Sequence, residues 1–137
     1  HFTGDCSNYF CTILNAYGVP QKPYYAFLAF NEIQKLEHQI LAKCDDRGVY
    51  ALASADGDEI CLLVAQYTGL NQDYDIIVDG LDLHAEYRLE KILTDAAHNG
   101  ETVFSQTGKP GELKWRTYLQ SSSFMLLRLT KQPAESK

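Results

Sequence analysis

Apolar side chains recur at helical spacing near the start of the chain. After Lys22-Pro23 they fall at Ala26, Phe30, Ile33, Leu36 and Ile40, three or four residues apart. Proline suits a first helical turn, where its missing N–H has no partner to lose. The pattern predicts a helix over Pro23–Leu41, apolar nearly all round from Tyr24 to Phe30 and amphipathic beyond, where Glu32, Lys35, Glu37 and His38 appear. Residues 1–22, punctuated by Gly4, Gly18 and Pro20, read as irregular.

After Cys44-Asp45-Asp46 the period changes to two. Strands are expected at Val49–Ala53, Ile60–Tyr67, Tyr74–Val78, Glu86–Thr94 and Ser122–Thr130. Asp56-Gly57 is a type I′ hairpin signal. Ile60–Ala65 is apolar on both faces, as a central strand would be, and Met125, Leu127 and Leu129 alternate with Phe124, Leu126 and Arg128. Residues 95–112 read as a long polar loop holding Gly100, Gly108, Pro110 and Gly111, with a short strand near Trp115. The fold class is mainly β: an antiparallel β-sandwich preceded by one long α-helix. Residues 1–43 form the loop and helix, 44–131 the sandwich, and 132–137 a disordered tail. Five or six strands is lean for a sandwich, which leaves room for a strand supplied from before His1. The absence of an initial methionine or signal peptide, and the apolar opening Phe2, Tyr9, Phe10, Ile13 and Leu14, fit a piece of something longer.

Composition narrows the function. The 137 residues carry a net charge of −6, and their twelve Lys and Arg are scattered. Nucleic acid binding needs a basic footprint, so neither nucleic acid nor an anionic membrane is an expected partner. No apolar run would span a bilayer. The four cysteines, Cys6, Cys11, Cys44 and Cys61, lack the paired spacing of a zinc site. Cys61 reads as a small buried hydrophobe. Cys6 and Cys11 are near enough to pair across a loop, and the sequence does not fix whether they do. His1, His38, His84 and His98 fall at no metal spacing, and no cofactor motif is present, so no metal or cofactor is expected. The aspartates cluster near turns, where their side chains bond local backbone. Nothing singles out the carboxylate pair that glycoside hydrolysis requires. The chain therefore reads as non-catalytic.

The segment Gly18-Val19-Pro20-Gln21-Lys22-Pro23-Tyr24-Tyr25-Ala26-Phe27 resembles the start of the last helix in (β/α)8-barrel glycoside hydrolases. Phe2-Thr3-Gly4 and Ile13-Leu14-Asn15 fit the loop before it. A second set, Ile77-Val78-Asp79-Gly80-Leu81, Tyr87-Arg88-Leu89, Asp95 and His98-Asn99, is similar to the sandwich of family 39, the β-xylosidases and α-L-iduronidases. That family has a residue between the histidine and the asparagine, whereas here Asn99 follows His98 directly. The resemblance implies a C-terminal portion of a longer hydrolase, supporting a catalytic barrel of the same parent chain. It places the parent's catalytic glutamates upstream of His1, and it implies an extracellular, periplasmic or lysosomal location.

Four residues are candidates for carbohydrate contact: Trp115, Tyr118, His98 and Asn99. Trp115 and Tyr118 fit a sugar-stacking platform, although a lone tryptophan in a sandwich is more often core. The loop from Asp95 to Gly100 fits one that reaches toward a barrel's active site, or a plain turn with φ > 0 at Asn99-Gly100. Two other functions stay open: a free-standing carbohydrate-binding module, and a protein-interaction domain docking through the helix. The aromatic stripe Tyr24, Tyr25, Phe27, Leu28 and Phe30 is too broad for one sandwich face to cover. It would meet a barrel, or a second copy in a homodimer through the helix Pro23–Leu41.

Overall fold

The computed structural model describes residues 12–134 and the backbone of residues 3–6. The chain runs β1 (Thr3–Cys6), β2 (Thr12–Leu14), α1 (Lys22–Gln34), β3 (His38–Ile40), β4 (Val49–Asp56), β5 (Glu59–Gln66), β6 (Gln72–Tyr74), β7 (Tyr87–Thr94), β8 (Asn99–Gly108), a short 3-10 helix (Pro110–Glu112), β9 (Thr117–Leu119) and β10 (Ser123–Lys131). Six strands form one antiparallel sheet in the order β3-β4-β5-β10-β7-β8; β6 and β9 make a second small sheet, and β1 and β2 a parallel pair. The fold is mainly β, an unequal antiparallel sandwich with one helix.

The large sheet is apolar on both faces because its middle strand is. Met125, Leu127 and Leu129 of β10 join Val64, Leu89 and Leu119 in a core beneath the sheet, closed by Tyr74, Ile76, Leu81 and Trp115 from the smaller layer. Leu126 points the other way, into a core with Cys61, Ala29 and Ile33 under α1. Period two in the strand and period 3.6 in the helix bring these side chains together. Burial pushes the Cys61 thiol up to about 11, as does Glu59 beside it, so it stays protonated and packs as a hydrophobe. At the edge of this interface Arg128 pairs with Glu32 of α1 and lies 3.3 Å from Glu59.

The observed elements depart from the sequence pattern in several places. The helix expected over Pro23–Leu41 ends at Gln34, and His38–Ile40 is instead β3, pairing with Ala53–Ala55 of β4. The hydroxyl of Ser54 donates to the carbonyl of Ile33 at 2.7 Å, taking one of the groups that a further helical turn would have used. Leu36 keeps its place against the helix-side core, so one apolar spacing serves a helix end and then an edge strand. Residues 95–112, expected as a loop, contain the ten-residue strand β8. Most of its side chains are exposed, because it is an edge strand with little above or below it. The third strand is Gln72–Tyr74 rather than Tyr74–Val78. The first 22 residues, expected to be irregular, hold β1 and β2.

The β4–β5 hairpin is present with a shifted turn. Asp56 pairs with Glu59, so Gly57 and Asp58 are the central residues. Only Gly57 has positive φ, at 54°, which is the type II′ pattern and not type I′. The Cys6–Cys11 pairing falls outside the described residues, as do the side chains of Phe2, Tyr9 and Phe10 and the end of the expected tail. Cys44 and Cys61 are free.

Candidate functional site

The turn between β7 and β8 is built around one carboxylate. Asp95 Oδ1 accepts from the backbone amides of Ala97 and His98 at 2.8 Å each, and it lies 2.8 Å from His98 Nδ1. The backbone closes from Asp95 N–H to the His98 carbonyl at 3.1 Å. Asp95 is buried while the His98 side chain is 36% exposed. Burial alone would raise the carboxyl. The bonds from His98 and the two amides outweigh it and hold Asp95 below the ordinary aspartate range. With the carboxylate ionised, Nδ1 is the protonated nitrogen that donates, and Nε2 is left on the outer side of the ring.

This turn is tied to the first turn of α1. Lys22 Nζ donates to the His98 carbonyl at 2.9 Å and to Asn99 Oδ1. Gly100, at φ 68°, lies against the ring of Tyr25, where a Cβ would sit 3.0 Å from Cδ1. Both the backbone angle and the close approach call for glycine. Tyr25 in turn meets Tyr24 edge to face, with centroids 5.3 Å apart. Gly100, though not Asn99, has the positive φ expected for this turn.

An expected result follows from the Asp95 geometry. Asp95→Ala should lower stability by about 2 kcal/mol at neutral pH, since hydrogen bonds to a buried charge are lost. The native pKa lies below the unfolded one, so this contribution is present above about pH 4 and disappears as pH falls through the native value. Urea melts of both proteins at pH 7 and pH 3 check it. A difference that persists undiminished at pH 3 would mean that the charge is not what matters.

Trp115 and Tyr118 stand elsewhere. Trp115 is half-buried against the core of the smaller layer, and its indole N–H donates to the Pro110 carbonyl at 2.8 Å. It borders a hollow of about 440 Å³ together with Ile76, Leu81 and Pro110. Tyr118 is the outward residue of β9, 53% exposed between buried Thr117 and Leu119. The turn at His98-Asn99 packs on the helix side of the sheet and Trp115 on the opposite side. The four candidates are thus brought together in pairs by sequence only: His98 with Asn99 at one place, Trp115 and Tyr118 at another. Lys22, Tyr25 and Asp95, which hold the turn, were not singled out as site residues. The Lys22-Pro23 signal marked the helix start but gave no hint of a partner 76 residues away.

A larger cavity, of about 590 Å³, opens under β4 and β5. Its floor is aliphatic, from Val49, Ala51, Ile60 and Leu62, and its rim carries Asp45, Asp46, Asp73, Asp75 and Asp79. Arg116 lies 3.7 Å from Asp73 and 3.8 Å from Asp75, and Gln72 donates to Asp46 at 3.0 Å. None of the four candidates lines it. Among the described residues no cluster of His, Cys, Asp or Glu could hold a metal ion, and no helix is long and apolar enough to cross a membrane.

The outer face of α1 is the other unusual surface. Ala29 and Ile33 are buried against the sheet, whereas Phe27, Leu28 and Phe30 are 47%, 45% and 48% exposed. Tyr17 and Val19 in the preceding turn are exposed as well.

These features define a class: a β-rich unit with a helix laid across its larger sheet, packed on one side and half-exposed on the other. No protein-family model and no curated protein matches the chain. Solved structures do share its fold. A glycoside hydrolase family 30 endoxylanase from Clostridium papyrosolvens superposes with a TM-score of 0.66 at 12% identity, over 90% of this chain and 31% of its own. A family 30 subfamily 8 xylanase from Clostridium acetobutylicum gives 0.66 at 14% identity, over 90% and 32%. A glucosidase from Croceicoccus marinus gives 0.61 at 16% identity, over 90% and 34%. The chain therefore spans about a third of the length of these solved structures and has the fold of a part of each.

Proposed function

We propose that this chain is the non-catalytic C-terminal β-sandwich portion of a glycoside hydrolase with a xylosidase-like parent similar to family 39, and that α1 is the last helix of that parent's (β/α)8 barrel. Its role is to pack on the catalytic barrel and stabilise it. The observation that carries this reading is the half-exposed apolar outer face of α1, at Leu28 and Phe30 above all. Phe27, Leu28 and Phe30 sit half in water on a helix whose opposite face is well packed. A barrel laid against them would bury all three, a gain of about 1 kcal/mol apiece for half-exposed side chains. The shared fold with parts of xylanases and a glucosidase supports the same reading. The alternative of a carbohydrate-binding module rests on Tyr118, exposed on β9. Trp115 adds little to it, because its indole N–H is already engaged by Pro110.

The isolated chain is expected to hydrolyse no aryl glycoside. Its rim aspartates surround an aliphatic floor and are partly engaged by Arg116 and Gln72. Release of nitrophenol from a nitrophenyl xyloside is the measurement. Turnover that disappears on replacing an Asp or Glu of this chain would overturn the non-catalytic reading.

A further inference from the structure

We infer that His98 is a substrate-binding residue, presenting Nε2 to a hydroxyl of an outer sugar of a xylan-type chain bound in the barrel. The inference rests on the reading that α1 is the last barrel helix. In a (β/α)8 barrel each helix begins where a βα-loop ends, so helix N-termini lie on the face that carries the active site. The turn Asp95–Asn99 is fastened to that end of α1. Lys22, the first residue of the helix, holds the His98 carbonyl and Asn99, and Gly100 lies on Tyr25 one turn further on. The turn therefore stands beside the catalytic face of the barrel.

The imidazole is prepared for binding in that position. Asp95 fixes the ring through Nδ1, and the same oxygen fixes the backbone around it, so the ring is oriented before any ligand arrives. No described residue bonds Nε2. In the neutral ring this nitrogen accepts a hydrogen bond, which suits a sugar hydroxyl. A sugar several units from the scissile bond is within reach of a loop at the margin of the barrel, whereas a small aryl glycoside is not. The residue thus acts on chain length and not on the bond broken.

The test uses the full-length protein. His98→Ala leaves the backbone amide bonds to Asp95 in place. It should raise KM for xylotetraose about three- to tenfold more than KM for nitrophenyl xyloside, the loss of one hydrogen bond. His98→Gln, which keeps a polar side chain, should show a smaller difference. In the unaltered protein, carbethoxylation of His98, followed by peptide mass, should be slowed by xylotetraose, a readout that needs no folded variant. An active enzyme in which the two KM values keep their ratio, or in which xylotetraose gives His98 no protection, overturns the role of His98 alone. A full-length protein inactive on both substrates overturns the hydrolase reading beneath it.

Discussion

Leu89→Ala should lower stability by about 3 kcal/mol, the usual size for deleting a fully buried leucine side chain. Leu89 has no exposed surface and sits in β7, between β10 and β8. Its side chain meets the core that the smaller layer closes, with Met125 and Leu127 around it. That core is assembled from several elements, so the surroundings have little freedom to collapse into the gap. For a domain of this size the loss corresponds to roughly 10 °C in melting temperature. Phe30→Ala, also an aromatic or aliphatic side chain cut back to alanine, should cost the isolated chain well under 1 kcal/mol because Phe30 is already 48% exposed. Thermal melts of the two variants together decide the matter. Similar losses, in melts at a concentration too low for self-association, would mean that the lower core is not what holds the sandwich together.

The second large effect concerns association. In isolation the chain should self-associate at micromolar concentration, because Phe27, Leu28 and Phe30 form a contiguous half-exposed apolar stripe. On the proposed function, a homodimer through α1 would take the place of the barrel contact. The triple variant Phe27→Ser, Leu28→Gln, Phe30→Ser should sediment as a monomer and melt within a few degrees of the parent sequence. In the full-length protein the same changes should lower the melting temperature markedly, since there the stripe would be covered. An isolated chain that sediments as a clean monomer before any substitution would count against both the homodimer and the barrel contact.

What the sequence disclosed depended on how far a single period could be trusted. β5 and β10 were legible because side chains on both their faces pack into core, which shows in the sequence as a nearly continuous apolar run. The exposed aromatics of α1 were legible for the complementary reason: one sheet cannot cover so wide a stripe. β8 was not legible. As an edge strand whose apolar side chains are only Val103 and Phe104, it owes its strand character mainly to backbone pairing with β7, and the sequence shows no alternation there. The helix end was misplaced because Leu36 and Ile40 continue the helical spacing, while the open edge of β4 draws His38–Ile40 into the sheet. The local part of the candidate site was visible, since Asp95 to Gly100 reads as a turn. Its attachment was not, because a lysine that reaches 77 residues along the chain to Asn99 leaves no periodic mark.

The order of strands has a consequence for how the chain is made. β10 leaves the ribosome after every other strand of the large sheet, yet it lies in the middle of that sheet, between β5 and β7. Until Ser123–Lys131 emerges, β3-β4-β5 and β7-β8 exist as two separate half-sheets, each with a long unpaired apolar edge. Such edges are the sites at which nascent chains find wrong neighbours. Synthesis that stalls or stops before Ser123 therefore leaves two open halves with nothing to join them, where a stop at Pro133 would leave the sheet whole. The nine residues of β10 act as the closing stitch of the domain, and a chaperone holding the earlier strands apart would have to wait for them.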